Sequence, residues 1–236
     1  MGLFDGLLRR SPEDRRRRLL ASLPEGPVRD HLQTPAPAGA TPVEELRLLA
    51  IDVETTGLRP EQDRLLSIGF VPVDGTTIDL SGARHLLVRQ TGEVGESATI
   101  HGLTDDQLSQ GLPLADALAQ TLEALRGRVL LAHYTGMEES FLATALQRAF
   151  GLGPEADGGT LFSSVDTMHL QYRLLTTGFD DEPPKNALRL WGARQRYGLP
   201  VYKAHEALTD ALACAELYLA LVAESGTGRT LAELQR

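Results

Sequence analysis

The apolar run Leu48-Leu49-Ala50-Ile51 passes directly into Asp52-Val53-Glu54-Thr55-Thr56-Gly57. Such an aliphatic run reads as a buried strand. Side chains alternate along a strand, so Asp52 and Glu54 project from the same face. Two carboxylates side by side at a strand end repel each other unless a cation sits between them. Hard divalent cations such as Mg²⁺ and Mn²⁺ prefer oxygen ligands. The Thr-Thr-Gly that follows lets the chain turn away and brings backbone close to whatever binds there. The plain alternative is an acidic strand end entering a turn, and Asp-x-Glu alone does not decide between the two.

The rest of the pattern builds an α/β domain around that strand. Segments 47–53 and 65–73 read as strands, joined through an Asp74-Gly75 turn to further strand material at 77–80 and 84–89. Leu114, Leu118, Leu122 and Leu125 fall on one stripe of a helix over 114–125. A short buried strand at 128–132, a helix at 138–150 and a strand at 163–166 come next. Helices at 167–174, 186–197 and 207–224 follow. Hairpins first, then alternating helices and strands, predict an α/β fold with a mixed sheet flanked by helices. Upstream, Ser11 as a cap, Pro12 in the first turn and Glu13-Asp14 predict a helix over 11–22. Pro24, Gly26 and the Pro/Ala-rich stretch 34–41 read as a linker. The expected layout is an Arg-rich helix and linker over 1–42, a compact domain over 43–225 and a short tail over 226–236. On that layout, removing residues 1–40 leaves activity on short substrates nearly unchanged.

With 42% hydrophobic and 23% charged residues among 236, the chain has enough apolar side chain for a real core. No apolar run is long enough to span a membrane. The N-terminus lacks the basic-then-apolar layout of a secretory signal, and Gly6 stands where a myristoylation motif has Ser or Thr. The single cysteine, Cys214, excludes an internal disulfide and fits a reducing cytoplasm. In an Ala/Leu-rich helix it reads as a small buried hydrophobe. The net charge of -9 argues against strong nonspecific adhesion to nucleic acid. It does not exclude a nucleic-acid enzyme whose bound metal ions offset the local acidity. Arg9, Arg10 and Arg15-Arg16-Arg17-Arg18 form a basic cluster, read either as a solvated helix face or as a docking arm for a partner.

Four further segments bear on Asp52 and Glu54. They are Ile100-His101-Gly102-Leu103-Thr104, the block from His133 to Leu142, Val165-Asp166-Thr167, and His205-Glu206-Ala207-Leu208-Thr209-Asp210. In the second, a strand ends and a helix begins, with Glu138 facing the strand end. In the last, a histidine precedes a helix and an aspartate lies one turn inside it. In order and spacing these motifs resemble the DEDDh 3′–5′ exonucleases, which include the epsilon proofreading subunit of bacterial DNA polymerase III and stand-alone relatives. The resemblance covers roughly residues 46–223 and implies a ribonuclease-H-like fold.

It also implies roles. Asp52, Glu54, Glu138 and Asp210 would be metal ligands for two Mg²⁺ or Mn²⁺ ions, about 4 Å apart in such sites. His205 would be the general base, suited to proton transfer near neutral pH. Thr55, Thr56, Gly57, Leu58, His101 and Phe141 would contact the substrate. Core packing is an equal reading for Phe141, and turn capping for His101. His133 reads as fixing a strand–helix corner, Asp166 as an N-cap, and Trp191 and Tyr197 as packing. One position departs from the family pattern His-Asn-Ala-x-Phe-Asp: Glu138 replaces the aspartate, on a stem longer by roughly 1.5 Å of bond length. Helical phase selects Glu138 over Glu139, because Glu139 lies about 100° away from the face shared by Glu138, Phe141, Leu142 and Ala145.

The implied function is a metal-dependent 3′–5′ exonuclease acting on 3′ ends of single-stranded nucleic acid, DNA ahead of RNA, and releasing nucleoside 5′-monophosphates. An oligoribonuclease-like RNA exonuclease is one rival reading. A non-catalytic binding module that keeps the fold is another. With no fused polymerase and only residues 225–236 beyond the last core helix, a stand-alone or differently tethered nuclease is expected.

Overall fold

The computed structural model describes residues 11–90, 102–176, 182–226 and 228–236. Among these residues six strands form one sheet: β1 (Arg47–Thr55), β2 (Leu65–Asp74), β3 (Thr77–Ile78), β4 (Arg84–Leu87), β5 (Val129–Ala132) and β6 (Ser164–Asp166). Their order is β3-β2-β1-β5-β6, with β4 also paired to β2. β1 runs antiparallel to β2 and parallel to β5, and β5 runs parallel to β6. The sheet is therefore mixed, as the order of the elements predicts.

Helices cover both faces. They are α1 (Pro12–Ser22), α2 (Pro27–Gln33), α3 (Asp105–Ser109), α4 (Leu114–Leu125), α5 (Thr135–Phe150), α6 (Gly158–Leu161), α7 (Thr167–Leu175), α8 (Leu190–Arg196), α9 (Ala207–Ser225) and α10 (Leu231–Leu234). Alternation along β1 divides the core in two. Leu49, Ile51 and Val53 pack with buried residues of α1, α2, α4 and α5. Leu48 and Ala50 pack on the opposite face with Cys214, Leu217, Tyr218 and Leu221 of α9. By the same alternation Asp52 and Glu54 belong to the α9 face. None of the helices among the described residues is long and apolar enough to cross a membrane.

The helix over 11–22 forms as expected, and the Ser11 hydroxyl accepts from the Asp14 amide. Its surroundings differ from the expected layout. Residues 27–33, read as part of a linker, make α2, started by Pro27 at its first turn. Leu19, Leu23, Val28 and Leu32 are buried in the core, so this segment is part of the body of the domain. His31 is buried as well, and its Nε2–H donates to the Leu161 carbonyl at 3.0 Å. Burial pushes its pKa down to about 4, so the ring is neutral at neutral pH. The arginine cluster is divided in use. Arg15 pairs with Asp157 at 2.8 Å, and Arg16 donates to the carbonyls of His31, Leu32 and Thr34. Arg17 and Arg18 are exposed, while Arg9 and Arg10 lie outside the described residues.

The stretch 34–41 and the segment after α9 fasten each other. Val43 donates to Arg229, Leu231 to Thr41 and Ala232 to Gly39, and Leu231 and Leu234 are buried. One helix is shorter than its pattern suggests. The expected helix over 186–197 begins only at Leu190, because Asn186 adopts φ 66°, a left-handed conformation that cannot continue a right-handed helix.

The packing of α1 and α2 replaces the expectation of a dispensable arm. Deleting residues 1–33 should expose the Leu19–Leu32 side of the core and lower the thermal midpoint by more than about 10 °C, read by circular dichroism. Leu32→Ala alone should cost about 2–4 kcal/mol in urea unfolding.

Candidate active site

The strand end, two helix starts and one loop converge at the carboxyl end of β1. Asp52 and Glu54 project toward α9, and a register shift at Glu54/Thr55 turns the strand end where it leaves β2. Opposite Asp52 on β2 is Gly69. A Cβ there would lie 2.1 Å from the backbone of Ala207 and Leu208. The missing side chain is what lets the first turn of α9 rest directly on the sheet beside Asp52. That contact carries Asp210, one turn into α9, up to the strand. Carboxylate oxygens of Asp52, Glu54 and Asp210 all lie within 4.8 Å of one another.

Glu138 comes from the first turn of α5 and is 5% exposed, whereas Glu139 turns toward Ser164 and Asp157. Glu138 adjoins Asp52, whose proton affinity its charge raises, but it falls outside the three-carboxylate group. Asp166 fixes this helix start. Its carboxylate accepts from the Tyr134 and Thr135 amides at 3.0 and 3.1 Å and from the Met168 amide at 2.9 Å. It therefore caps α5 and α7 together, which explains why α5 begins at Thr135, before the expected 138. Tyr134 at that junction adopts φ 80° and is 56% exposed. His133 braces the same corner: its ring nitrogens meet Thr167 Oγ1 at 2.9 Å and the Leu188 carbonyl at 2.8 Å.

The electrostatics follow from crowding. Burial, and then the charges of Glu138, Asp210 and Glu54, hold Asp52 well above the usual carboxylate range. Burial and Asp210 push Glu54 up to about 8. Burial also raises Asp210, partly offset by the His205 amide, which donates to Asp210 Oδ2 at 2.9 Å. Asp210 Oδ1 and Glu138 Oε2 are buried with no hydrogen-bond partner among the described residues. An all-oxygen set of buried, mutually repelling carboxylates fits hard divalent cations and does not fit a softer, sulfur-seeking metal. Asp52, Glu54 and Asp210 would hold such an ion directly, with Glu138 beside Asp52.

The remaining expected residues divide into three groups. His205 lies just before α9, exposed, with φ 68°. Thr55 to Leu58 form the loop beyond β1. Thr55 Oγ1 donates to the Gly57 carbonyl, Thr56 Oγ1 meets Asp63, and Leu58 is 78% exposed at the tip. Phe141 is 2% exposed and packs in the core, so of its two readings the core one describes the structure. His101 lies outside the described residues. Sequence reasoning missed Gly69, Asp63 and the second role of Asp166. Asp63 accepts from the Arg59 amide and presses on Gly57, where a Cβ would meet its carboxylate at 2.5 Å. A glycine inside the largely apolar strand β2 was the available signal for Gly69.

This arrangement belongs to a nuclease class, and comparison with known proteins agrees. The chain matches the Exonuclease family model over residues 49–218 and belongs to that family. It is 26% identical over 180 residues to the DNA polymerase III subunit epsilon of Treponema pallidum, covering 76% of this chain and 78% of that one. It is 27% identical over 181 residues to the PolC-type DNA polymerase III of Thermotoga petrophila, covering 76% of this chain but 12% of the much longer relative. Among solved structures, Escherichia coli Exonuclease I in complex with a dT13 oligonucleotide superposes with a TM-score of 0.61 at 16% identity, over 75% of this chain and 41% of that one. Exonuclease I from Methylocaldum szegediense gives the same TM-score at 22% identity, over 76% of this chain and 40% of that one. These likenesses establish the ribonuclease-H-like fold.

Two outcomes follow from the crowded carboxylates. Glu54 is raised from 4.5 to about 8, so the folded state takes up a proton that the unfolded chain releases. Metal-free stability should therefore fall as pH rises through that window, and Mg²⁺ or Mn²⁺ should reverse the fall. Thermal melts in EDTA and in excess Mg²⁺ at pH 5 and pH 8 read this. Asp52→Asn should melt higher than wild type in EDTA and gain little from Mg²⁺. Gly69→Ala should displace the start of α9 and abolish the Mg²⁺-induced rise in midpoint.

Proposed function

We propose that this chain is a metal-dependent 3′–5′ exonuclease that removes nucleoside 5′-monophosphates from single-stranded ends, with DNA as its main substrate. The observation that carries the reading is the Asp52–Glu54–Asp210 group, with Glu138 alongside, in an Exonuclease-family chain. The similarity to a DNA polymerase III subunit epsilon and to PolC-type DNA polymerase III supports DNA over RNA. Bound Mg²⁺ or Mn²⁺ would supply charge neutralisation at the phosphate and a more acidic water.

The chain's own groups do the rest. His205, an exposed residue whose amide donates to Asp210, accepts the proton of the attacking water at an imidazole nitrogen. The water oxygen bonds to phosphorus, the bond from phosphorus to the 3′ oxygen of the preceding nucleotide breaks, and that oxygen takes up a proton. The loop from Thr55 to Leu58 faces the terminal nucleotide, with Leu58 presenting an apolar edge to its base. Beside the Glu138 helix start, a cavity of about 630 Å³ lined by Tyr134, Lys185, Asn186 and Arg189 offers cations and an aromatic face for the rest of the strand. Among the described arginines of the cluster, Arg17 and Arg18 are exposed, Arg17 beside Glu13 and Asp14, and either could meet a protein partner or a distant phosphate.

Cleavage of 3′- and 5′-labelled DNA and RNA oligonucleotides with Mg²⁺ or Mn²⁺ tests polarity, substrate class and chemistry together. Stepwise shortening from the 3′ end, faster on DNA, is expected. Asp52→Ala should lower kcat by at least about 10³-fold, as expected when a transition-state ligand is lost. Glu138→Asp should stay within about 10-fold of wild type while Glu138→Gln loses at least about 100-fold. Equal turnover by wild type and Asp52→Ala would remove this site as the enzyme's centre and favour a binding module.

A further inference from the structure

The segment between α8 and α9, residues 197–206, carries His205 and has no regular secondary structure beyond short turns. Val201 is 93% exposed, and Lys203 and His205 are exposed too. Such a loop left to itself would sample many conformations. It is fastened from beneath by a buried arginine. Arg194 is 1% exposed and lies under the loop. Its Nη1 donates to the Ala213 carbonyl at 2.6 Å, and its Nη2 donates to the Pro200 carbonyl at 2.8 Å and to Glu216 Oε2 at 2.7 Å. The Tyr202 hydroxyl donates to the other oxygen of Glu216 at 2.8 Å. The guanidinium carbon lies 4.9 Å from the Tyr202 ring centroid and 5.5 Å from that of Trp191.

Ala213 and Glu216 sit on α9, the helix that also carries Asp210. The arginine therefore ties the loop to the element that bears a candidate metal ligand. A second tie, from the His205 amide to Asp210 Oδ2, lies at the far end of the same loop. A desolvated arginine is costly unless its donors are used. Here the planar fork spans loop and helix at once, which a lysine's single ammonium does not reproduce.

We infer that Arg194, Glu216 and Tyr202 form a latch that sets the position of His205 against Asp210, and that Arg194 and Tyr202 are positioning residues for the proton transfer. The inference rests on the reading of His205 as the general base. The chemistry needs that ring within hydrogen-bond reach of the attacking water, and a displacement of about 1 Å can cost on the order of 100-fold in rate. The latch includes none of Asp52, Glu54, Glu138 and Asp210, and a change at Tyr202 keeps the Arg194 charge that acts on Asp210, so loosening the latch there should lower kcat and leave metal and substrate binding intact.

The test uses the full chain at saturating Mg²⁺ with a 3′-labelled single-stranded DNA oligonucleotide. Tyr202→Ala and Tyr202→Phe are compared with wild type, His205→Ala and the His205→Ala/Tyr202→Ala double variant. Tyr202 is only partly buried, so these variants test the latch without emptying the core, as Arg194 substitutions would risk. Tyr202→Ala should lower kcat by about 10-fold or more while KM stays within about 3-fold. Tyr202→Phe, which keeps the ring over the guanidinium, should recover most of the loss. The double variant should be no slower than His205→Ala, because the latch acts through that residue. Amide hydrogen exchange over 198–206 should accelerate in Tyr202→Ala, with the Mg²⁺-induced rise in thermal midpoint retained. Unchanged exchange, unchanged kcat despite faster exchange, or a full further loss on the His205→Ala background would each overturn the latch. Equal turnover by wild type and His205→Ala would instead overturn the reading of His205, and the positioning role with it.

Discussion

The close approach of α9 to the sheet at Gly69 is the contact on which the site depends. Helix backbone and strand backbone touch there with no side chain between them. One turn beyond that contact, Asp210 meets Asp52 and Glu54. The attraction that closes the structure is apolar: Ala207, Ala211, Cys214, Leu217 and Tyr218 of α9 are buried. Burial of that helix face stabilises the fold and at the same time forces three carboxylates together. Burial first, and then the neighbouring charges, hold these carboxyls above the usual range, which is why the folded metal-free chain is at odds with itself at one corner.

The second theme is how few groups fix the site's framework. Asp166 caps two helices with one carboxylate, and through the start of α5 it sets where Glu138 enters. His133 ties the same junction to Thr167 and to the loop at Leu188. Asp63 holds the turn after β1 by bonding the Arg59 amide and filling the space over Gly57. None of the three belongs to the cluster of Asp52, Glu54 and Asp210. Each converts a strand end or helix start into a defined position.

Much of this was legible in the sequence. The apolar run before Asp52 marked β1, Val53 separated two acids onto one face, and the leucine stripe over 114–125 marked α4. The spacing from His205 to Asp210 foretold a carboxylate one turn into a helix. Phase distinguished Glu138 from Glu139. What escaped depended on contacts between distant segments. Pro24, Gly26 and the stretch 34–41 drew the residues between them into a linker reading, because a seven-residue helix such as α2 has little periodicity and only its packing on α4 reveals it. Phe141 kept two readings until its burial was known. The left-handed Asn186 shortened a helix that its apolar pattern would have allowed.

The mutual fastening of residues 39–43 with 229–232 has a consequence for chain connectivity. Pro42 and Thr230 are bridge partners, so the stretch that leads from α2 into β1 and the segment that follows α9 lie side by side. Each stretch is the other's support, through the bonds from Val43 to Arg229, Leu231 to Thr41 and Ala232 to Gly39, so a cut in one would loosen both.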